Sequence, residues 1–212
     1  METTKYLIAI PTMDMAHIGF VASLVGMQRV GASRVSFVSN SLIYDARNML
    51  AAEAIDTGAD RVLWLDSDMR FAPDLMIRLE EDMDSGLDYV SGLYFKRVIP
   101  LAPILCKESV VREDGGKLTG ESKTYMDYPK DSLFEIAASG FGAVMCSTKM
   151  LKDVYDNYGM PFNPIPGVFG EDYSFCYRAR QLGYKLYCDS RIKLGHIGSF
   201  TFGEEHYMQK SS

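Results

Sequence analysis

Short apolar runs alternate with stretches of helical composition along roughly the first ninety residues. Residues 6–10 form an apolar run closed by Pro11-Thr12, residues 19–30 read as a helix, and residues 34–39 are a second β-rich run. Residues 42–56 are helical by composition, with Ala46, Ala51, Ala52 and Ala54, and Gly58 is the expected stop. Residues 61–65 predict a buried strand, Pro73 opens a helix to about residue 85, and residues 88–93 return as a strand. Repeated strand–helix–strand steps argue for a parallel sheet with helices on both faces, a Rossmann-type arrangement suited to nucleotides.

The rhythm breaks after Leu93. Residues 96–135 carry Pro100, Pro103, a Glu113-Asp114-Gly115-Gly116 turn and Pro129, which predict a β-hairpin and an irregular insertion. Short strands follow over 135–138 and 143–146, around the glycines Gly140 and Gly142. Ser147 is placed to cap a helix reaching about Tyr158, a Pro-rich loop comes next, and residues 171–182 predict a second helix stopped by Gly183. Residues 184–188 read as a further strand. The fold class is α/β in one domain, with a nucleotide-binding half to about residue 93, a mixed-sheet half over 94–198 and a tail over 199–212.

Composition adds boundaries to this picture. At 212 residues and 47% hydrophobic, the chain has material for a sizeable core. Its longest stretches without Asp, Glu, Lys or Arg, 15–28 and 157–170, are 14 residues each, too short to span a membrane, and the beginning has no basic leader or apolar signal region. Cys106, Cys146, Cys176 and Cys188 are scattered without a CxxC pair, which predicts reduced core cysteines and a cytoplasmic setting. The net charge of −6 argues against general nucleic-acid binding. That charge is local: residues 56–88 hold ten acids against three arginines, a balance of −7, which leaves the remainder at +1. The acids from Glu80 to Asp84 are expected on a solvated helix face.

Asp66 and Asp68 need another account. The apolar strand delivers Asp66-Ser67-Asp68 at its carboxyl end, where open α/β sheets bind ligands. Two carboxylates at this spacing can share a divalent cation that bridges diphosphate oxygens, or can simply form a solvated turn. Gly170-Glu171-Asp172 opens a helix after the Pro-rich loop, so its acids either stabilise the helix start or present a general base. His196 lies between Gly195 and Gly198, which permit close backbone approach. Arg47, near the same sheet edge, is either a phosphate-pairing group or a surface arginine.

In this order the pieces resemble the nucleotide-sugar glycosyltransferases of the GT-A fold, especially the large inverting family. Residues 8–12 resemble its first strand and Pro-Thr turn, Ala46-Arg47-Asn48 its Ala-Arg-Asn segment, and residues 62–68 its strand ending in Asp-X-Asp. Residues 139–143 resemble the glycine-rich segment near the donor sugar, Gly170-Glu171-Asp172 the Glu-Asp motif, and His196 the histidine that follows it. The resemblance implies a hexosyltransferase-type enzyme using a UDP- or GDP-sugar donor and manganese, or magnesium in its place. Asp68 and His196 would bind the metal directly, with Asp66 turned to the ribose or a metal-bound water. Pro11, Thr12, Asp14, Arg47, Asp66 and Ser67 would hold nucleotide, Gly140 and Gly142 would let the sugar approach, and Asp172 beside Glu171 would deprotonate the acceptor. The acceptor could be a glycan, a lipid, a protein or a modified base.

Two departures qualify this. The Gln-X-X-Arg-Trp motif of processive synthases is absent, the corresponding helix reading Tyr177-Arg178-Ala179-Arg180-Gln181-Leu182, so transfer of a single sugar is expected. With little chain beyond Gly198, residues 94–134 should supply acceptor surface, and Tyr94, Phe95, Lys96, Arg97, Tyr125 and Tyr128 lie there; the aromatics could equally be loop packing. The rival readings are a sugar-phosphate nucleotidylyltransferase, which should show a Gly-rich basic loop after the first strand where this chain has Pro11-Thr12-Met13-Asp14-Met15, and a non-catalytic nucleotide-sugar-binding protein.

Overall fold

A computed structural model describes residues 5–198; the expected tail, 199–212, lies outside the described residues. Its first half contains β1 (Tyr6–Pro11), α1 (Ile18–Gly26), β2 (Ser33–Val38), α2 (Ile43–Thr57), β3 (Arg61–Leu65), β4 (Met69–Arg70), α3 (Leu75–Met83) and β5 (Tyr89–Leu93). A hairpin of β6 (Leu105–Asp114) and β7 (Lys117–Thr124) follows, then β8 (Leu133–Ile136), β9 (Ala138–Ser139), β10 (Ala143–Ser147), α4 (Thr148–Tyr158), α5 (Glu171–Gln181), β11 (Leu186–Lys193) and β12 (Gly195–His196).

The central sheet runs β2-β1-β3-β10-β5-β11-β8. β2, β1 and β3 are mutually parallel, β5 and β11 pair in parallel, and β10 and β8 run antiparallel to their neighbours. This is the α/β class expected, with strands of the second half completing one sheet with those of the first.

Period-2 side-chain alternation sorts the buried strands between two cores. Leu7, Ala9, Val62, Trp64, Val144 and Cys146 face α2, α4 and α5. Tyr6, Ile8, Ile10, Leu63, Leu65 and Met145 face α3 and Phe20 of α1. All four cysteines are buried and unbridged, as their surroundings predicted. Trp64, Phe141, Phe162 and Phe175 pack in the first core with ring centroids 4.9–5.8 Å apart, edge to face except for the stacked pair Phe162 and Phe175. Among the described residues no helix is long and apolar enough to cross a membrane.

Several boundaries differ from expectation. The first helix ends at Gly26 rather than near residue 30, because Met27 turns to extended backbone and Gln28 donates its N–H to Pro73 O at 2.8 Å. The last long strand runs to Lys193, since pairing with both β5 and β8 carries it past Cys188. The solvated face expected from Glu80 to Asp84 is corrected: Glu81 and Asp84 are exposed, but Glu80 and Asp82 are buried. Glu80 accepts a hydrogen bond from Tyr6 Oη, and Asp82 is reached by Arg191 Nη2 at 3.1 Å. Burial together with the neighbouring Asp189 pushes the Asp82 carboxyl up to about 6.

Candidate active site

At the carboxyl ends of β1 and β3 the sheet opens into a cavity of about 340 Å³. The Asp66-Ser67-Asp68 turn at its floor is held by backbone from three other segments. Asp66 N–H donates to Gly142 O at 3.1 Å, Ser67 O accepts from His17 N–H at 3.1 Å, and Asp68 O accepts from Ile197 N–H at 2.8 Å. Of the predicted nucleotide-side residues, Pro11, Thr12, Arg47, Asp66 and Ser67 line the cavity, whereas Asp14 is exposed and lies outside its lining.

Arg47 projects from α2 and is only 2% exposed, which removes the surface-arginine alternative. Its guanidinium stands over the Phe141 ring, 5.3 Å from the centroid. Nη2 donates to Asp66 Oδ1 at 3.1 Å, while Nε lies 3.3 Å from Asp172 Oδ1 and 3.9 Å from Glu171 Oε1. The geometry at Nε is too oblique for a hydrogen bond, so Nε, Nη1 and Asp172 Oδ1 are buried without hydrogen-bond partners among the described residues. Burial opposes the charged guanidinium, but Asp172, Asp66 and Glu171 outweigh it and hold its pKa above the ordinary value. The neighbouring Asn48 ties α2 to the Pro-rich loop: its Oδ1 accepts from Phe162 N–H at 2.9 Å and its Nδ2 donates to Asn163 Oδ1 at 3.0 Å.

Glu171 and Asp172 begin α5, where the unpaired N–H groups of the first turn favour negative charge. Phe141 N–H donates to Asp172 Oδ2 at 3.3 Å. Burial, against the attraction of Arg47 and with the repulsion of Glu171 and Asp66, pushes the Asp172 carboxyl up to about 7.

The two predicted glycines differ. Gly140 lines the cavity and Gly142 does not. Each is required by Tyr94, a buried ring whose Oη accepts from Gly142 N–H at 2.9 Å. A Cβ at Gly140 would lie 2.4 Å from Tyr94 Oη, and one at Gly142 would lie 2.8 Å from Tyr94 Cζ. Phe95 packs against Tyr128, and Tyr128 and Tyr125 each pack against Phe134, which realises the loop-packing alternative for these aromatics.

His196 reaches the site through the two-residue ladder of β12 with β4, in which it sits opposite Met69. With Nδ1 at 2.9 Å from Phe95 O, Nε2 is directed to Asp68 Oδ2 at 3.5 Å. Arg97 Nη1 donates to the same Oδ2 at 2.7 Å. Burial pulls the Asp68 carboxyl upward, yet the His196 and Arg97 contacts hold it below its ordinary value; the bond to Asp68 raises His196 in turn. The three predicted metal residues are thus not gathered into one cluster. Asp66 is turned to Arg47, and among the described residues no group of three or more His, Cys, Asp or Glu side chains is arranged to hold a metal. The Asp68–His196 pair nevertheless suits a cation, because Asp68 Oδ1 is buried without a hydrogen-bond partner and the ring is oriented through its far nitrogen.

Ser41 and Ile104 also line the cavity, and neither was singled out by sequence. Ser41 Oγ is buried without a partner among the described residues, but a lone serine before a helix carries no distinguishing pattern.

No protein-family model matches the chain, and no curated protein matches it. Solved structures do. The crystal structure of A197 from STIV superposes with a TM-score of 0.67 at 16% identity, covering 92% of this chain and 87% of that one. GalNAc-T7, crystallised with UDP, GalNAc and Mn2+, superposes with a TM-score of 0.57 at 13% identity, covering 93% of this chain and 43% of that one. The chain therefore spans less than half the length of GalNAc-T7. At such identities the likeness establishes the fold, a mixed α/β architecture similar to a GT-A glycosyltransferase, and nothing finer.

Proposed function

We propose that the chain is a metal-dependent glycosyltransferase that moves one sugar from a nucleoside-diphosphate sugar, UDP- or GDP-linked, to an acceptor hydroxyl with inversion. The observation that carries this reading is the convergence of Asp66, Asp68, Arg47, Glu171, Asp172 and His196 on one cavity at the carboxyl end of the sheet. The presence of UDP and Mn2+ in the GalNAc-T7 crystals supports a donor and cation of the same kind here.

Asp68 and His196 would hold the divalent cation. When bound, such an ion neutralises charge on the leaving diphosphate, and a mixed carboxylate–imidazole pair suits manganese better than magnesium. Pro11 at the end of β1, Thr12 just after it and Ser67 border the nucleotide. Arg47 orients Asp66 and Asp172 across the cavity floor. Asp172 takes the proton of the acceptor hydroxyl as that oxygen attacks the anomeric carbon. A carboxyl titrating near neutrality is matched to this role, because it is ionised at working pH and still a useful base. Glu171 supports it by repelling a second negative charge.

A thermal-shift screen of UDP-, GDP-, CMP- and dTDP-sugars with and without Mn2+ tests this. A ligand at 100 times its Kd stabilises the fold by about 2.7 kcal/mol, so one donor class should stand out and only with metal. Incubation of that donor with glycan, lipid, peptide and nucleoside acceptors should then release nucleoside diphosphate. Binding of a donor that stays intact with every acceptor would favour the non-catalytic reading, and release of pyrophosphate from a nucleoside triphosphate the nucleotidylyltransferase.

A further inference from the structure

One charge on the border of this cavity has no part in the roles above. Arg97 Nη1 donates to Asp68 Oδ2 at 2.7 Å and to Ile197 O at 3.1 Å, so a guanidinium already occupies the carboxylate that a cation would need. His196 Nε2 reaches the same oxygen at 3.5 Å, leaving Asp68 Oδ1 buried without a partner. The arginine is held but not locked. Its side chain is 50% exposed, and it lines both the main cavity and an adjoining hollow of about 380 Å³ shared with Lys96 and Leu101. Its present position depends on Gly198, where a Cβ would lie 2.8 Å from Arg97 Cδ.

Two positive charges about 4 Å apart repel appreciably at a partly desolvated surface, so a divalent ion and this guanidinium cannot both sit against Asp68 Oδ2. Once moved, the guanidinium needs another anion, and its planar fork matches phosphate oxygens. We propose that Arg97 is a resident counter-ion of Asp68, displaced when a divalent cation enters with a nucleoside diphosphate, and that the displaced guanidinium then pairs with the diphosphate. The proposal rests on the nucleotide-sugar reading of this cavity. Its consequence is that the cation alone binds weakly while cation and diphosphate bind cooperatively.

Calorimetry on the full chain tests it through opposite signs. Arg97→Ala should tighten Mn2+ alone at least about tenfold, and should weaken UDP or GDP measured at saturating Mn2+ at least about tenfold. Arg97→Lys should restore part of both effects, because it returns the charge without the fork. A structural role cannot move the two affinities apart, and the half-exposed position leaves melting temperature as the control for folding. Unchanged or weaker Mn2+ binding by Arg97→Ala overturns the proposal, as do unaltered UDP and GDP affinities. Equal Mn2+ binding by Arg97→Ala and by the Asp68→Ala/Arg97→Ala pair also overturns it, since the ion would then sit elsewhere. No detectable Mn2+ binding by either the wild type or Arg97→Ala does the same. If the wild type binds neither UDP nor GDP with Mn2+, the glycosyltransferase reading fails, and the metal-alone arm still decides whether Arg97 guards Asp68.

Discussion

Arg47 Nε stands 3.3 Å from Asp172 Oδ1, so a guanidinium buried in α2 neutralises a carboxylate at the start of α5. The same group donates to Asp66 at the end of β3. Three elements are thereby tied together by one cation, and the candidate base is held beside the candidate donor site before any ligand arrives.

Removing that cation should be costly. Deleting one member of a buried ion pair typically destabilises by about 3–5 kcal/mol. The Asp66 and Asp172 side chains remain 28% and 23% exposed, so Arg47→Met should lie near the lower end, about 3 kcal/mol by urea denaturation at pH 7.5. The deficit should shrink toward pH 4 as Asp172 protonates. Equal stability of variant and wild type at pH 7.5 would mean that the guanidinium contributes nothing net.

Asp172 makes a paired statement about stability and rate. Its carboxyl is raised from 3.8 to about 7, so the folded state binds the proton more tightly than the unfolded chain. Stability contributed by the protonated form is therefore lost as pH rises from about 4 to about 7. Asp172→Asn should be more stable than wild type at pH 8, with the difference vanishing below pH 4, and should transfer sugar about 10²–10⁴-fold more slowly. Wild-type kcat/KM should rise with pH through an apparent pKa near 7. Near-wild-type turnover by Asp172→Asn, or a product that retains the donor's anomeric configuration, would make Asp172 structural.

His196 should discriminate between metals. Loss of a nitrogen ligand matters most to the ion that values nitrogen, so His196→Ala should weaken Mn2+-supported donor binding several-fold more than Mg2+-supported binding. Equal losses in isothermal titrations with the two ions would leave His196 as a partner of Asp68 and Phe95 alone.

Gly140 and Tyr94 should behave as a coupled pair. Gly140→Ala places a methyl 2.4 Å from Tyr94 Oη and 2.9 Å from Ile104 Cγ2, an overpacking worth about 1–3 kcal/mol. Tyr94→Phe alone leaves Gly142 N–H without its acceptor, at about 1–3 kcal/mol. Because the phenylalanine lacks the colliding oxygen, the double variant should be more stable than the sum of the two losses implies, by at least about 0.5 kcal/mol in denaturant melts. Strict additivity would show that the tyrosine moves aside at no cost.

The strand and helix alternation, the sheet with helices on both faces and the terminal positions of Asp66, Asp68, Glu171 and Asp172 were legible in sequence. Buried strands need apolar runs that end at polar turns, and helix starts favour acids, so these features are written locally. Pairing of charges was not. Arg47 and Asp66 are 19 residues apart and Arg97 and Asp68 are 29 apart, and nothing in hydrophobic periodicity records which arginine meets which acid. Glu80 and Asp82 read as solvated because a helical acid looks the same whether water or Tyr6 and Arg191 receives it. His196 depended on a ladder of two residues per strand, too short for any period to register, which brings the end of the described chain against the turn after β3. Packing of the sheet decided these meetings, since burial of a charge is favourable only where a distant segment supplies its partner.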